Sequence, residues 1–99
     1  MNTTITNLNG DNERVTLPEA HWKGKENDGT GVWITGLYYG PRSGRIFIKT
    51  HSIWDDGRHM GINVGTRVRE VERCEFLRAC ARTGADVPEQ LEATATRID

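Results

Sequence analysis

Through the middle of this chain, runs of β-forming residues alternate with glycine-rich breaks, and that pattern predicts a small sheet. From Val32 to Tyr39, Val32, Ile34, Gly36 and Tyr38 fall on one side of an extended chain and Trp33, Thr35, Leu37 and Tyr39 on the other. Both sides are apolar, so this strand is expected to be central and covered on both faces. Gly36 within it marks a bulge or a close packing contact. Gly40-Pro41-Arg42-Ser43-Gly44 then reads as a turn of about four or five residues. It leads into a partner strand in which Ile46, Ile48, Thr50 and Ser52 oppose Phe47, Lys49, His51 and Ile53.

Asp55-Asp56-Gly57-Arg58 is a second turn signal. Met60 to Val64 returns as a short strand, and Thr66 to Val71 continues it, with Arg67 and Arg69 opposite Val64, Thr66 and Val68; one bent strand broken at Gly65 fits equally well. Near the start, Asn9-Gly10 places a hairpin turn between Thr3–Leu8 and Glu13–Leu17, and Pro18 closes the second arm. Ala20 to Thr30 reads as a loop, with Trp22 plugging one end of the core.

One stretch has helical spacing. Cys74, Leu77 and Ala81 repeat along residues 72–83, flanked by Phe76 and Cys80, with Arg73, Arg78 and Arg82 on or beside the opposite side. Glu72 and Glu75 in the first turn and Arg82 in the last suit the helix dipole, and Gly84 is a good terminating residue. A short final turn starts near Asp86 with Pro88. The fold class expected is α+β: an antiparallel sheet of four to six strands with one C-terminal helix, about 72–83, packed on one face.

Ninety-nine residues make one domain, 1–99, with residues 1–3 and 93–99 expected to be loose. An apolar fraction of 35% leaves a thin core that a partner or a second copy could complete, and an open sheet edge could pair with its own copy to give a homodimer. Net charge is −1, but residues 1–40, 41–82 and 83–99 carry −2, +4 and −3, so a basic middle lies between acidic ends. On one helix Cys74 and Cys80 would stand ~9 Å apart along the axis, beyond the reach of a disulfide. Met1-Asn2-Thr3-Thr4 is not a signal sequence, and no apolar run reaches the length of a membrane span. A cytoplasmic protein with reduced thiols and no membrane partner is expected.

Candidate chemistry is sparse. His51, Asp55, Asp56 and His59 cluster around the second turn and are the candidates for a small metal-dependent enzyme, but their spacing matches no established site pattern. Cys74 on the apolar stripe reads as an inert buried thiol. Gly40 to Gly44 is followed by a strand, not by the helix that a phosphate-binding loop requires. No cofactor is implied, and no catalytic residue is assigned.

Two binding readings use the same residues. Tyr38, Tyr39, Arg42, Arg45, Phe47, Lys49, His51, Trp54 and Arg58 interleave rings with positive charge, as a single-stranded nucleic-acid binder would. A protein-docking patch would use Tyr39, Arg42, Arg45, Trp54, Asp55, Asp56 and Arg58, because Tyr, Trp and Arg are enriched at interface centres. Without a catalytic constellation, the favoured expectation is a non-enzymatic module that binds another protein. If that partner belongs to a nucleic-acid-handling complex, acidic residues such as Asp11, Glu13, Glu19, Glu26 and Asp28, or Glu89 and Glu92, could occupy its phosphate groove. In size and charge mixture, though in no motif, the chain resembles phage and mobile-element accessory proteins that inhibit host enzymes, anti-CRISPR inhibitors among them.

Overall fold

The β-formers build six strands and the helical stretch builds one helix. The computed structural model describes residues 2–27, 32–55, 62–89 and 91, with backbone alone at 53–55 and 62–64. The strands are β1 (Asn2–Thr6), β2 (Asn12–Thr16), β3 (Ala20–Asn27), β4 (Val32–Tyr39), β5 (Ile46–Asp55) and β6 (Ile62–Glu70), followed by α1 (Arg73–Thr83). They form one sheet in the order β2-β1-β6-β5-β4-β3. Neighbours run antiparallel except β1 and β6, which run parallel and are in register only at Thr6 and Arg69. The α+β expectation stands, with six strands.

Local chemistry accounts for the turns. The Asn7 side-chain oxygen accepts hydrogen bonds from the Asn9 and Asp11 amides, both at 3.0 Å, which folds the β1–β2 hairpin. Between β4 and β5 the Gly40 amide donates to the Arg45 carbonyl at 2.9 Å, and the Arg45 amide donates to Ser43 Oγ at 3.1 Å. The expected bulge is present, since the β4–β5 register shifts between Ile34 and Gly36. The Tyr38 ring lies over Gly36, where a Cβ would stand 2.9 Å from it.

Four expectations change. Ala20 to Asn27 is a strand, not a loop: it pairs with β4 through two irregularities, and its lysines suit an exposed edge. Trp22 does pack against the core, half-buried. Residues 62–70 form one continuous strand through Gly65, and the sheet is not wholly antiparallel. Helix α1 turns Phe76, Ala79 and Cys80 inward, whereas Cys74 and Ala81 are exposed. The large Phe76 ring, fully buried, fixes that rotation. The helix ends as expected, at Gly84 with φ +79, whose amide donates to the Cys80 carbonyl at 2.9 Å. Asn2 and Thr3 belong to β1; residues 93–99 and the 56–58 turn lie outside the described residues.

The sheet is strongly curled, for a reason visible in chain length. Only Leu17, Pro18 and Glu19 join the two edge strands. From Thr16 to Ala20 the chain reaches at most about 14 Å. The edges of a flat six-stranded sheet would stand about 24 Å apart, five spacings. The sheet therefore rolls until its edges approach, which produces two cores. On the outer face Ile34, Leu37, Ile46 and Ile48 pack under Phe76 of α1. Inside the curl Ile5, Tyr38, Phe47 and Val68 pack together, with Val15 and Leu17 against them.

Candidate docking site

Strand alternation decides which charges meet the helix. On β6, Val68 faces inward with Lys49 beside it, so Arg67 and Arg69 start from the outer face, and Arg69 reaches α1. On α1, Arg78 and Arg82 are one turn apart on the same side, both exposed. A like-charged pair at this spacing costs an isolated helix about 0.2–0.5 kcal/mol. Arg69, Arg78 and Arg82 border a depression of about 500 Å³ floored by Ile34, Ile48 and Ala79. Arg67 lines an adjoining depression of about 360 Å³ that shares Arg69 with it.

Internal pairing absorbs part of this charge. Arg69 Nη2 donates to Glu75 Oε2 at 2.7 Å, and Arg82 Nε donates to the Asn27 carbonyl at 2.8 Å, which ties the helix end to β3. Arg67 and Arg78 make no ion pair or side-chain hydrogen bond among the described residues. The furrow continues past Glu75 and Glu72 to Leu8, the only exposed large apolar side chain among the described residues, at 56%. Leu8 borders a further apolar depression of about 540 Å³ with Gly44, Arg45, Arg73 and Leu91.

The residues expected to dock separate into four groups. Arg42 is exposed at the β4–β5 turn and makes no ion pair or hydrogen bond among the described residues. Tyr39 is half-buried against the outer core. Arg45 is clasped between β2 and β6. Its Nε and Nη2 donate to Glu70 at 3.1 and 2.8 Å, and Nη1 and Nη2 donate to Glu13 at 3.1 and 3.0 Å. Four of its five N–H donors are thus used inside the protein. The two carboxylates push the guanidinium pKa further up, Glu70 first. Arg45 and then Asn7 hold the Glu13 carboxyl below its ordinary value of 4.5. Asp56 and Arg58, and the side chains of Trp54 and Asp55, lie outside the described residues.

The remaining candidates divide similarly. Tyr38 and Phe47 are core residues inside the curl, not free stacking platforms. Lys49 and His51 point to the inner face, and His51 Nδ1 lies 3.1 Å from Thr66 Oγ1. His59 lies outside the described residues, and among those described no three His, Cys, Asp or Glu side chains gather as a metal site would require. Of the acidic candidates, Glu13 is engaged by Arg45. Asp11, Glu19 and Glu89 are exposed and Glu26 is half-buried, while Asp28 and Glu92 lie outside the described residues. Cys74 is exposed rather than buried; Cys80 is the buried thiol, and burial pushes its pKa up.

Sequence reasoning placed Arg67, Arg69, Arg78 and Arg82 but did not join them. The signal available was the pairing of an i, i+2 arginine strand with an i, i+4 arginine helix. What it lacked was the packing that brings β6 beside α1. No described helix is long and apolar enough to cross a membrane. Comparison with known proteins yields no family model, curated protein or solved structure with significant similarity to this chain.

Proposed function

We propose that the chain is a non-enzymatic protein-binding module that docks an acidic, partly apolar surface of a partner along the furrow beside α1. One observation carries this reading: Arg78, without a partner among the described residues, borders an apolar floor that runs on toward exposed Leu8, and Arg67, likewise without a partner among them, lines the adjoining depression that shares Arg69. Arginine over apolar surface is the composition of an interface centre, and guanidinium groups bind carboxylates in pairs. Arg42 adds a contact from the neighbouring turn. Placing the partner in a nucleic-acid-handling host complex, and reading the outcome as inhibition by a phage or mobile-element protein, extends the proposal: docking should lower that complex's activity.

Single-stranded nucleic-acid binding has less support. Tyr38 and Phe47 are committed to the core, and no described ring lines the furrow on which a base could stack.

The test is affinity capture from lysate with the tagged chain and an Arg67→Gln/Arg78→Gln variant. A stoichiometric partner should be recovered, with its affinity weakened tenfold or more, about 1.4 kcal/mol, in the variant. Leu8→Ser should weaken it less. Recovery of no stoichiometric partner, or a partner indifferent to both variants, overturns the proposal.

A further inference from the structure

The inside of the curl holds a second feature, distinct from the docking furrow in its floor and in its lysines. A cavity of about 520 Å³ opens there, with lining residues from every strand, from Asn12 on β2 to Lys23 on β3. It lies where β1 and β6 part, since the two strands are in register only at Thr6 and Arg69. Its floor is apolar, made by Ile5, Leu17, Tyr38 and Val68; Lys23, Lys49 and Arg67 are the charged residues of its lining, and no carboxylate lines it. The volume suits a small organic ligand, and the mouth of a curled sheet is a common place for one.

Register brings three donors together over that floor. Lys23 is opposite Gly36, and Gly36 is opposite Lys49, so the two lysines flank a glycine across three strands. Their Cα atoms are about 10 Å apart, two strand spacings. The Tyr38 side chain folds over Gly36, with its hydroxyl 3.0 Å from where a Cβ would stand. The phenolic O–H thus lies over the strand position that the two lysines flank. Tyr38 is 7% exposed, and neither its hydroxyl nor the ammonium of either lysine has a hydrogen-bond or ion-pair partner among the described residues. Beyond Phe47 on the same face lies the alternative: Arg45 is enclosed by Glu13 and Glu70. Positive charge is neutralised there and left open at Lys49.

We infer that this cavity binds a small organic anion, with an apolar body seated on Ile5, Leu17 and Val68 and a phosphate or carboxylate head held by Lys23, Lys49 and the Tyr38 hydroxyl. The inference does not rest on the docking furrow of the outer face, although Arg67 lines both.

The experiment titrates 1-naphthyl phosphate into the full-length chain and follows backbone amide and Tyr38 ring resonances, with 1-naphthoate, 1-naphthol and inorganic phosphate titrated in parallel. Saturable shifts should map to Tyr38, Lys49, Thr66 and Val68. Naphthol and inorganic phosphate should each bind about tenfold or more weaker than naphthyl phosphate, the loss expected when a charge-assisted contact or the apolar seat is missing. Comparison of the phosphate with the carboxylate identifies the preferred head. Lys49→Gln and Lys23→Gln should each weaken binding about tenfold, Lys49→Arg should retain most of it, and Arg78→Gln on the furrow should leave it unchanged. Thermal unfolding confirms that each variant is folded. Absence of saturable shifts with both anions, shifts confined to α1 and the furrow, or equal binding to the lysine variants would overturn the inference.

Discussion

Beneath α1 the sheet buries Ile34, Leu37, Ile46 and Ile48 against Phe76, whereas inside the curl it buries Ile5, Tyr38, Phe47 and Val68 against itself. The outer core is closed by a separate element, whose bulk can be matched to the sheet. The inner core is closed by curvature alone, and curvature closes unevenly. Leu17 packs over part of it and Arg45 clasps β2 to β6, yet β1 and β6 separate beyond their single register point. Stability is therefore concentrated on the outer face, and open chemistry on the inner face and along the margin of the helix.

The most severe way to break this contrast is Phe76→Ala. Phe76 is fully buried, and its removal leaves a ring-sized void between helix and sheet. A loss of about 3–5 kcal/mol is expected in denaturant unfolding. A loss near 1 kcal/mol would mean that the helix is not what closes the outer core.

Gly36→Val probes the inner face. Its added side chain meets the Tyr38 ring, already 2.9 Å from the Cβ position, so the ring must move within a packed cluster. Overpacking of this kind costs about 1–3 kcal/mol. The same variant should shift the Tyr38 ring resonances, while the resonances of Ala79 and Cys80 on the outer face remain in place.

Acid sharpens the comparison more gently. Glu13 is held below 4.5 when folded, so the folded protein binds that proton more weakly than the unfolded chain. Its contribution is complete above the unfolded value and is lost as pH falls through the lower folded one. Melting temperature should decline over that acidic interval, and Glu13→Gln should flatten the decline there. An equally steep profile in the variant would show that the Arg45 clasp does not respond through Glu13.

The smallest effect comes from the helix thiols. Cys74→Ser should change stability by no more than about 0.5 kcal/mol, as exposed substitutions usually do. It should also abolish rapid labelling by a thiol reagent, because Cys80 is buried and its pKa is raised. Rapid labelling that survives in Cys74→Ser would reverse the assigned rotation of α1.

These positions also show what the sequence could convey. The β4–β5 hairpin was legible because alternation and turn chemistry are local, and the same is true of the helix end at Gly84. The buried side of α1 was misread because apolar residues occupy more than one side, and only the fit of Phe76 against the sheet selects between them. Strand β3 was missed because Lys23, Gly24, Lys25 and Glu26 carry little β character; an edge strand borrows its conformation from its neighbour. The parallel contact of β1 with β6 joins residues more than sixty positions apart, and no local pattern encodes it. Both candidate sites depend on such long-range placement: Arg69 beside Arg78 across helix and sheet, and Lys23 beside Lys49 across a glycine.

The curl is the claim on which the rest depends, and proton–proton Overhauser contacts test it directly. In a flat sheet β1 and β4 are three spacings apart, about 14 Å, too far for such contacts. With the sheet rolled, Ile5 and Leu17 methyl protons should show cross-peaks to the Tyr38 ring. A complete set of β1–β2 and β4–β5 neighbour contacts with no cross-peak from Ile5 or Leu17 to Tyr38 would contradict the rolled sheet and the cavity within it.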